Sequence, residues 1–343
     1  MKKEAKTNFQ KLILAILLSI IFTFGGFFLM FTTMVVLNDF FEGFLQDPWY
    51  VHYSQYQQYK QNYDDIVAFL VPIGYLCFIM TLLLILLGLI LKRYHISLFG
   101  AYILYLPLFG AFSFAMSAVF AGIGVIQIIW LPFFHFAPDF LNAGAIILFP
   151  LYLQRSGVFE EIPLAPSLIG ALLGVTLLLM VLSIFLGLFI FVFGVITWLY
   201  GKFQGKAVID FWIYRFSRHP QYLGLILFNY GLLLFPLFFP FLTVPFPTLP
   251  WVLLTLIIIG MAITEENTLL RECTEEYTHW RTRTPFLIPL PKGIISVILW
   301  PTRLLLRKEW PERNKEILVI LLFYGLLLIS LSLPLFPFMD WNY

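Results

Sequence analysis

From Pro166 to Leu199 the chain reads PSLIGALLGVTLLLMVLSIFLGLFIFVFGVITWL, without one Asp, Glu, Lys, Arg or His. A helix satisfies its own backbone polar groups, so about 20 such residues are at home in hydrocarbon and out of place in water. Comparable runs occupy 11–37, 66–91, 96–131, 221–242, 249–264 and 317–338, and only Lys11, at an edge, puts a charge inside any of them. With 61% hydrophobic and 12% charged residues in a chain of 343, no water-soluble core accommodates this apolar surface. The expectation is an all-α integral membrane protein with about seven transmembrane helices. The runs at 96–131 and 166–199 exceed one crossing, and 119–153 has room for an additional re-entrant pair.

Basic residues concentrate in cytoplasmic loops. With the N-terminus cytoplasmic, only Lys60 and Arg155 of the 21 Lys and Arg fall on the far side. That orientation places 200–220 and 265–316 in the cytosol and the Tyr-rich segment 38–65 outside, as an interfacial loop or a recognition surface. The implied location is the plasma membrane of a prokaryote or the endoplasmic reticulum of a eukaryote. The Pro-rich stretch 236–250 predicts a tight outer turn, because each proline removes a backbone donor. It would make 221–264 a helical hairpin with both ends inside.

Ionisable groups at membrane depth mark proton and ion pathways, and their absence from these runs argues against a pump or transporter. A net charge of +2 gives no reason to expect nucleic acid, and the two cysteines and five histidines have no metal-ligand spacing. Chemistry, if the chain performs any, belongs at the cytoplasmic boundary.

Two polar clusters stand there. In RFSRHPQYLG, residues 215 to 224, Pro220 suits the first turn of a helix. A helix start flanked by Arg218 and His219 favours an anion such as a carboxylate or phosphate; the same residues also suit a lipid-headgroup anchor. Tyr222 lies in that first turn, and Gly224 permits close approach of a ligand or a neighbouring helix. The second cluster is Glu265-Glu266 at the end of the sixth run. An uninterrupted helix there aligns Glu266, Leu270, Cys273, Tyr277 and Trp280 on one stripe, with Glu265 pointing elsewhere, to Arg218 or another arginine, and Arg271 paired with Glu275. Arg281 and Arg283 are either anion contacts or lipid anchors. A carboxylate lost from such a boundary site should cost little folding energy, so Glu266→Gln is expected to abolish ligand binding at nearly unchanged stability.

The ordered set Arg218-His219-Pro220-Gln221-Tyr222-Leu223-Gly224, a hairpin, Glu265-Glu266, then Tyr277, Trp280, Pro285 and Pro289 resembles the catalytic end of the membrane methyltransferases. That family includes isoprenylcysteine carboxyl methyltransferase and the phospholipid N-methyltransferases. The resemblance covers roughly 183–290, a third of the chain. It implies S-adenosylmethionine between the two clusters and a lipophilic acceptor, isoprenylcysteine carboxylate or lipid amine, arriving from the bilayer. Arg218, His219 and Glu266 would be the catalytic set. Arg218 and His219 would hold the cofactor's carboxylate end, Glu265 and Glu266 would receive its ammonium and sulfonium, and Tyr214, Pro220, Tyr222, Gly224 and Tyr277 would complete its site. No metal is called for. Two other readings stand beside this one: an NADPH-dependent sterol- or steroid-type reductase, which shares a similar turn, and a non-catalytic scaffold of the same fold.

The implied organisation is an N-terminal transmembrane region of unknown role at 1–165, a methyltransferase-like core at 166–290, and an extension at 291–343. The extension opens with KGIISVILWPTRLLLRKEW, whose amphipathic pattern suits the membrane interface, and closes with a further span.

Overall fold

The computed structural model describes residues 2–44, 56–91, 93, 96–105, 129–130, 133, 137–148, 166–234 and 248–338. Every regular element among them is helical. In chain order they are α1 (Lys2–Phe44), α2 (Tyr56–Ile90), α3 (Ile96–Tyr105), α4 (Pro166–Phe203), α5 (Pro220–Leu234), α6 (Leu249–Glu272), α7 (Thr274–Arg283), α8 (Lys292–Leu306) and α9 (Asn314–Ser332), with short 3-10 turns between or after some of them.

Among the described residues, five helical stretches are long and apolar enough to cross a membrane: Lys6–Gly26, Val71–Ile90, Gly170–Phe203, Leu249–Glu272 and Asn314–Phe336. Their outward surfaces are dominated by leucine, isoleucine and phenylalanine, exposed in the isolated chain. Of the seven expected spans, the third falls mostly on 106–128, outside the described residues. Of the fifth, 221–242, the described part is the 15-residue α5, and 235–242 lie outside the described residues. The Pro-rich turn expected at 236–250 lies outside the described residues up to 247, and α6 begins at Leu249. Both described ends of the Tyr-rich segment 38–65 are helical, α1 continuing to Phe44 and α2 starting at Tyr56. Neither flank contains the proline that would stop a helix early.

The described chain resolves into two compact units built from interleaved segments: 1–29, 179–231 and 258–324 in the first, 30–178, 232–257 and 325–343 in the second. In the second unit, Trp130 donates from Nε1 to the Leu104 carbonyl at 2.7 Å, and its ring packs edge-on against Phe78. Ser97 hydrogen-bonds the Ile85 carbonyl at 2.7 Å, drawing α3 onto α2.

The first unit positions the polar clusters. Its α4 carries Gly187, Gly194 and Gly201 seven residues apart, and α5 carries Gly224 and Gly231 at the same interval. Two turns of helix return such residues to nearly one face. The two backbones therefore approach closely: a Cβ on Gly224 would stand 2.5 Å from the Phe191 nitrogen, and one on Gly187 2.4 Å from the Phe228 nitrogen. Small residues permit this proximity between apolar helices, where dispersion takes the place of a hydrophobic drive. Ser19 of α1 adds a hydrogen bond to the Val192 carbonyl of α4 at 3.1 Å.

Candidate functional site

The turn before α5 is held from several directions. Phe211 and Trp212 lead into a single 3-10 turn, Trp212–Arg215. Trp212 takes a positive φ of 50°, a left-handed conformation costly for a bulky side chain. Its indole stacks on Tyr200 at 5.2 Å, with 7° between the planes, so packing holds the strain. Tyr214 then turns inward, its hydroxyl donating to Gln221 Oε1 at 2.7 Å, while Trp280 Nε1 donates to its carbonyl at 3.3 Å. The Arg218 backbone N–H donates to the Pro285 carbonyl at 3.0 Å, tying this turn to the chain beyond α7. Pro220 opens α5 as the sequence implies.

These constraints bring Arg218 and His219 against the end of α6, 48 residues along the chain. Arg218 Nη1 lies 2.8 Å from Glu266 Oε1 and 2.9 Å from Oε2. His219 Nε2 lies 3.2 Å from Glu266 Oε1, and Nδ1 3.7 Å from Glu265 Oε2, so the imidazole bridges the two carboxylates. Arg281 of α7 completes the group, Nε 3.4 Å from Glu266 Oε2. Glu266 is 0% exposed. A buried carboxylate is tolerable only when cations and hydrogen bonds surround it, and this one is enclosed by two guanidinium groups and an imidazole.

A cavity of about 300 Å³ opens beside this group. Tyr214, Arg218, His219, Tyr222, Glu265 and Tyr277 line it, together with Lys202, Trp198, Gln221 and Trp280, which sequence reasoning had not assigned to a site. Glu265, 47% exposed, faces the cavity. Arg218 Nε and the Tyr277 hydroxyl are buried behind its wall, the hydroxyl beside Glu266 and Arg218. Burial is the main influence lowering the Arg218 guanidinium from its usual range, opposed by Glu266. Burial likewise pushes the Tyr277 phenol up, with Glu266 adding to the effect, and pushes Tyr214 well up, with Glu265 adding to it. Both phenols are therefore neutral donors at ordinary pH.

The arrangement differs from the sequence-derived one in three places. Glu266, not Glu265, is the partner of Arg218, and it sits behind the cavity wall while Glu265 looks into the cavity. The continuous stripe from Glu266 to Trp280 is interrupted, because α6 stops at Glu272 and Cys273 leaves helical geometry at φ −131° and ψ 50°. A new helix begins at Thr274 with Glu275 and Glu276 in its first turn, where carboxylates suit the positive helix end. Arg271 consequently turns back on α6, Nε donating to the Asn267 carbonyl at 3.0 Å. Of the two approaches the sequence allows at Gly224, a neighbouring helix is the one seen, with Gly187 and Phe191 of α4 against it. Finally, Glu266 is not at an open boundary, which removes the basis for expecting its replacement to leave stability unchanged.

The extension at 291–343 also reaches this cluster. Trp310, between α8 and α9, has its ring 4.9 Å from the Arg281 guanidinium carbon and 5.8 Å from that of Arg218. Phe286 meets Trp310 edge-on at 5.0 Å, and its own ring lies 5.7 Å from Arg218. Asn267 Nδ2 clamps the segment by donating to the Pro311 carbonyl at 3.0 Å and the Glu312 carbonyl at 3.2 Å. Cation–π contact stabilises guanidinium groups away from water.

No family model, curated protein or solved structure matches the chain.

Proposed function

We propose that the protein transfers a methyl group from S-adenosylmethionine to a lipophilic acceptor at the cytoplasmic membrane boundary. The observation that carries this reading is the convergence of the Arg218-His219 turn and the Glu265-Glu266 pair on one cavity. Both clusters stand at the ends of apolar helices, where a water-soluble donor and a lipid-soluble acceptor meet.

The residues fit such a donor. Glu265 would receive an ammonium group and favour a neighbouring cationic centre. Arg218 and His219, both lining the cavity, would hold the donor's carboxylate end. The rings of Tyr214, Tyr222 and Trp280 provide faces for a planar base. When bound, the donor supplies an activated methyl carbon whose bond to sulfur breaks as the acceptor's lone pair forms the new bond, leaving a neutral thioether. The protein's task is then alignment and exclusion of water. Glu266 acts at one remove, fixing Arg218, His219 and Arg281. A cavity of about 300 Å³ is at the small end of ligand sites, which favours this donor over the larger, multiply phosphorylated NADPH.

Calorimetric titration of the purified protein with S-adenosylmethionine and with NADPH separates the readings. Binding of the first alone is expected; binding of NADPH alone supports a reductase, and binding of neither supports a scaffold. The acceptor class, isoprenylcysteine carboxylate or lipid amine, is then read by mass spectrometry of membranes with and without the protein, as products one methylene heavier.

A further inference from the structure

Helix α8 leaves six of its apolar residues uncovered by the described chain. Ile294, Val297, Ile298, Trp300, Leu304 and Leu305 all lie on the surface, Val297 73% and Trp300 58% exposed. Ser296 and Arg303, seven residues apart on the other stripe, are joined by a hydrogen bond from Arg303 Nη1 at 3.0 Å. The helix is therefore two-faced. Its 15 residues rise about 22 Å, too little for a hydrocarbon core of about 30 Å. It does not cross a membrane, yet its broad face is not made for water.

Contacts within the same unit set its depth. The Tyr324 hydroxyl of α9 donates to the Ile298 carbonyl in the middle of α8. Ile317 is the first residue of α9 after the charged Lys315-Glu316 pair, and Tyr324 stands roughly 10 Å of helix rise beyond it. Side chains on a helix reach back toward its N-terminus, so Ile298 lies less than about 10 Å inside the level where α9 becomes apolar. Amphipathic helices lie in the plane of a membrane at a depth of about 5–10 Å. The sequence from 292 to 316 also carries six Lys and Arg against three Glu, an excess that suits phosphate headgroups.

We propose that α8 lies in the plane of the membrane, its apolar arc seated in the acyl boundary of one leaflet and its Arg303 and Arg307 side among the headgroups. The occupant is lipid: α9, joined to α8 at Ile298, carries its own exposed Leu318, Val319 and Leu322, and the excess positive charge flanks the arc. This inference does not depend on the chemistry of the cavity.

Spin labels at Val297, Leu304 and Ser296 test it, each on the full-length chain with Cys77 and Cys273 replaced, in phospholipid nanodiscs. Collision with dissolved oxygen should exceed collision with a water-soluble nickel chelate at Val297 and Leu304, and the order should reverse at Ser296. A nickel-accessible label at Val297 overturns the proposal. So does a label there that neither reagent reaches, which would identify a protein partner or second copy as the cover. Independently of the labelled variants, brominated acyl chains should quench native protein more strongly than Trp300→Phe; equal quenching of the two overturns the seating of Trp300 in lipid.

Discussion

Replacing Glu266 with glutamine keeps the shape of the side chain and removes its charge. In the native cluster its two oxygens are approached by Arg218 at 2.8 and 2.9 Å, His219 at 3.2 Å and Arg281 at 3.4 Å. The amide retains one acceptor oxygen and turns an NH2 group toward donors. Removing one partner of a buried ion pair costs about 3–5 kcal/mol, mostly because the other charge is left uncompensated. Arg281 is 25% exposed and recovers some solvent, which places the expected loss near the lower end, about 3 kcal/mol. For a chain of this size that corresponds to a fall of roughly 4 °C in Tm. Circular dichroism melts in detergent, alongside a titration with a denaturing detergent, measure it. The double variant Arg218→Met with Glu266→Gln removes both charges of the closest pair and should lose less than the sum of the two single variants. If Glu266→Gln melts with the native protein, the carboxylate is not holding these cations and the account of the site's architecture is wrong.

Glu265→Gln, at a half-exposed position facing the cavity, should leave Tm nearly unchanged and weaken S-adenosylmethionine binding at least tenfold by calorimetry, about 1.4 kcal/mol. Unchanged affinity would remove Glu265 from the ligand. Gly224→Ala forces a Cβ to within 2.5 Å of backbone on α4 and should cost about 1–3 kcal/mol as overpacking, read as a lower Tm with unaltered affinity in the folded fraction. Trp310→Phe should retain ligand affinity, whereas Trp310→Leu, of similar apolar character but without a π face for Arg218 and Arg281, should lower it. Equal affinities for those two variants would reduce Trp310 to packing alone.

The meeting of Arg218-His219 with Glu265-Glu266 was legible because each cluster marks a helix end in the sequence: a proline at an N1 position on one side, a doubled acid where an apolar run stops on the other. Which acid points inward was not legible. It depends on the rotation of α6 about its axis, and that is set by packing partners such as Leu321 of α9 against Gly260. The break at Cys273 was hidden as well, since neither proline nor glycine announces it. Gly224 carried an ambiguity that sequence alone leaves open, because close approach by a ligand and by a helix impose the same requirement. Trp310 was beyond reach for another reason: it lies 92 residues from Arg218, and no local pattern encodes a contact at that separation. The long spans with no charged residue were the easiest part to read, as composition alone specifies them.

The cluster around Glu266 also bears on biogenesis. It joins the residues that start α5 to those that finish α6, so both must be delivered to the same side of the bilayer. A chain threaded with these ends apart would part Arg218 and His219 from Glu266 and Glu265, leaving Arg281 beside Glu266. Correct insertion is thus rewarded electrostatically, and a misthreaded molecule would expose the kind of lesion that membrane quality control can detect.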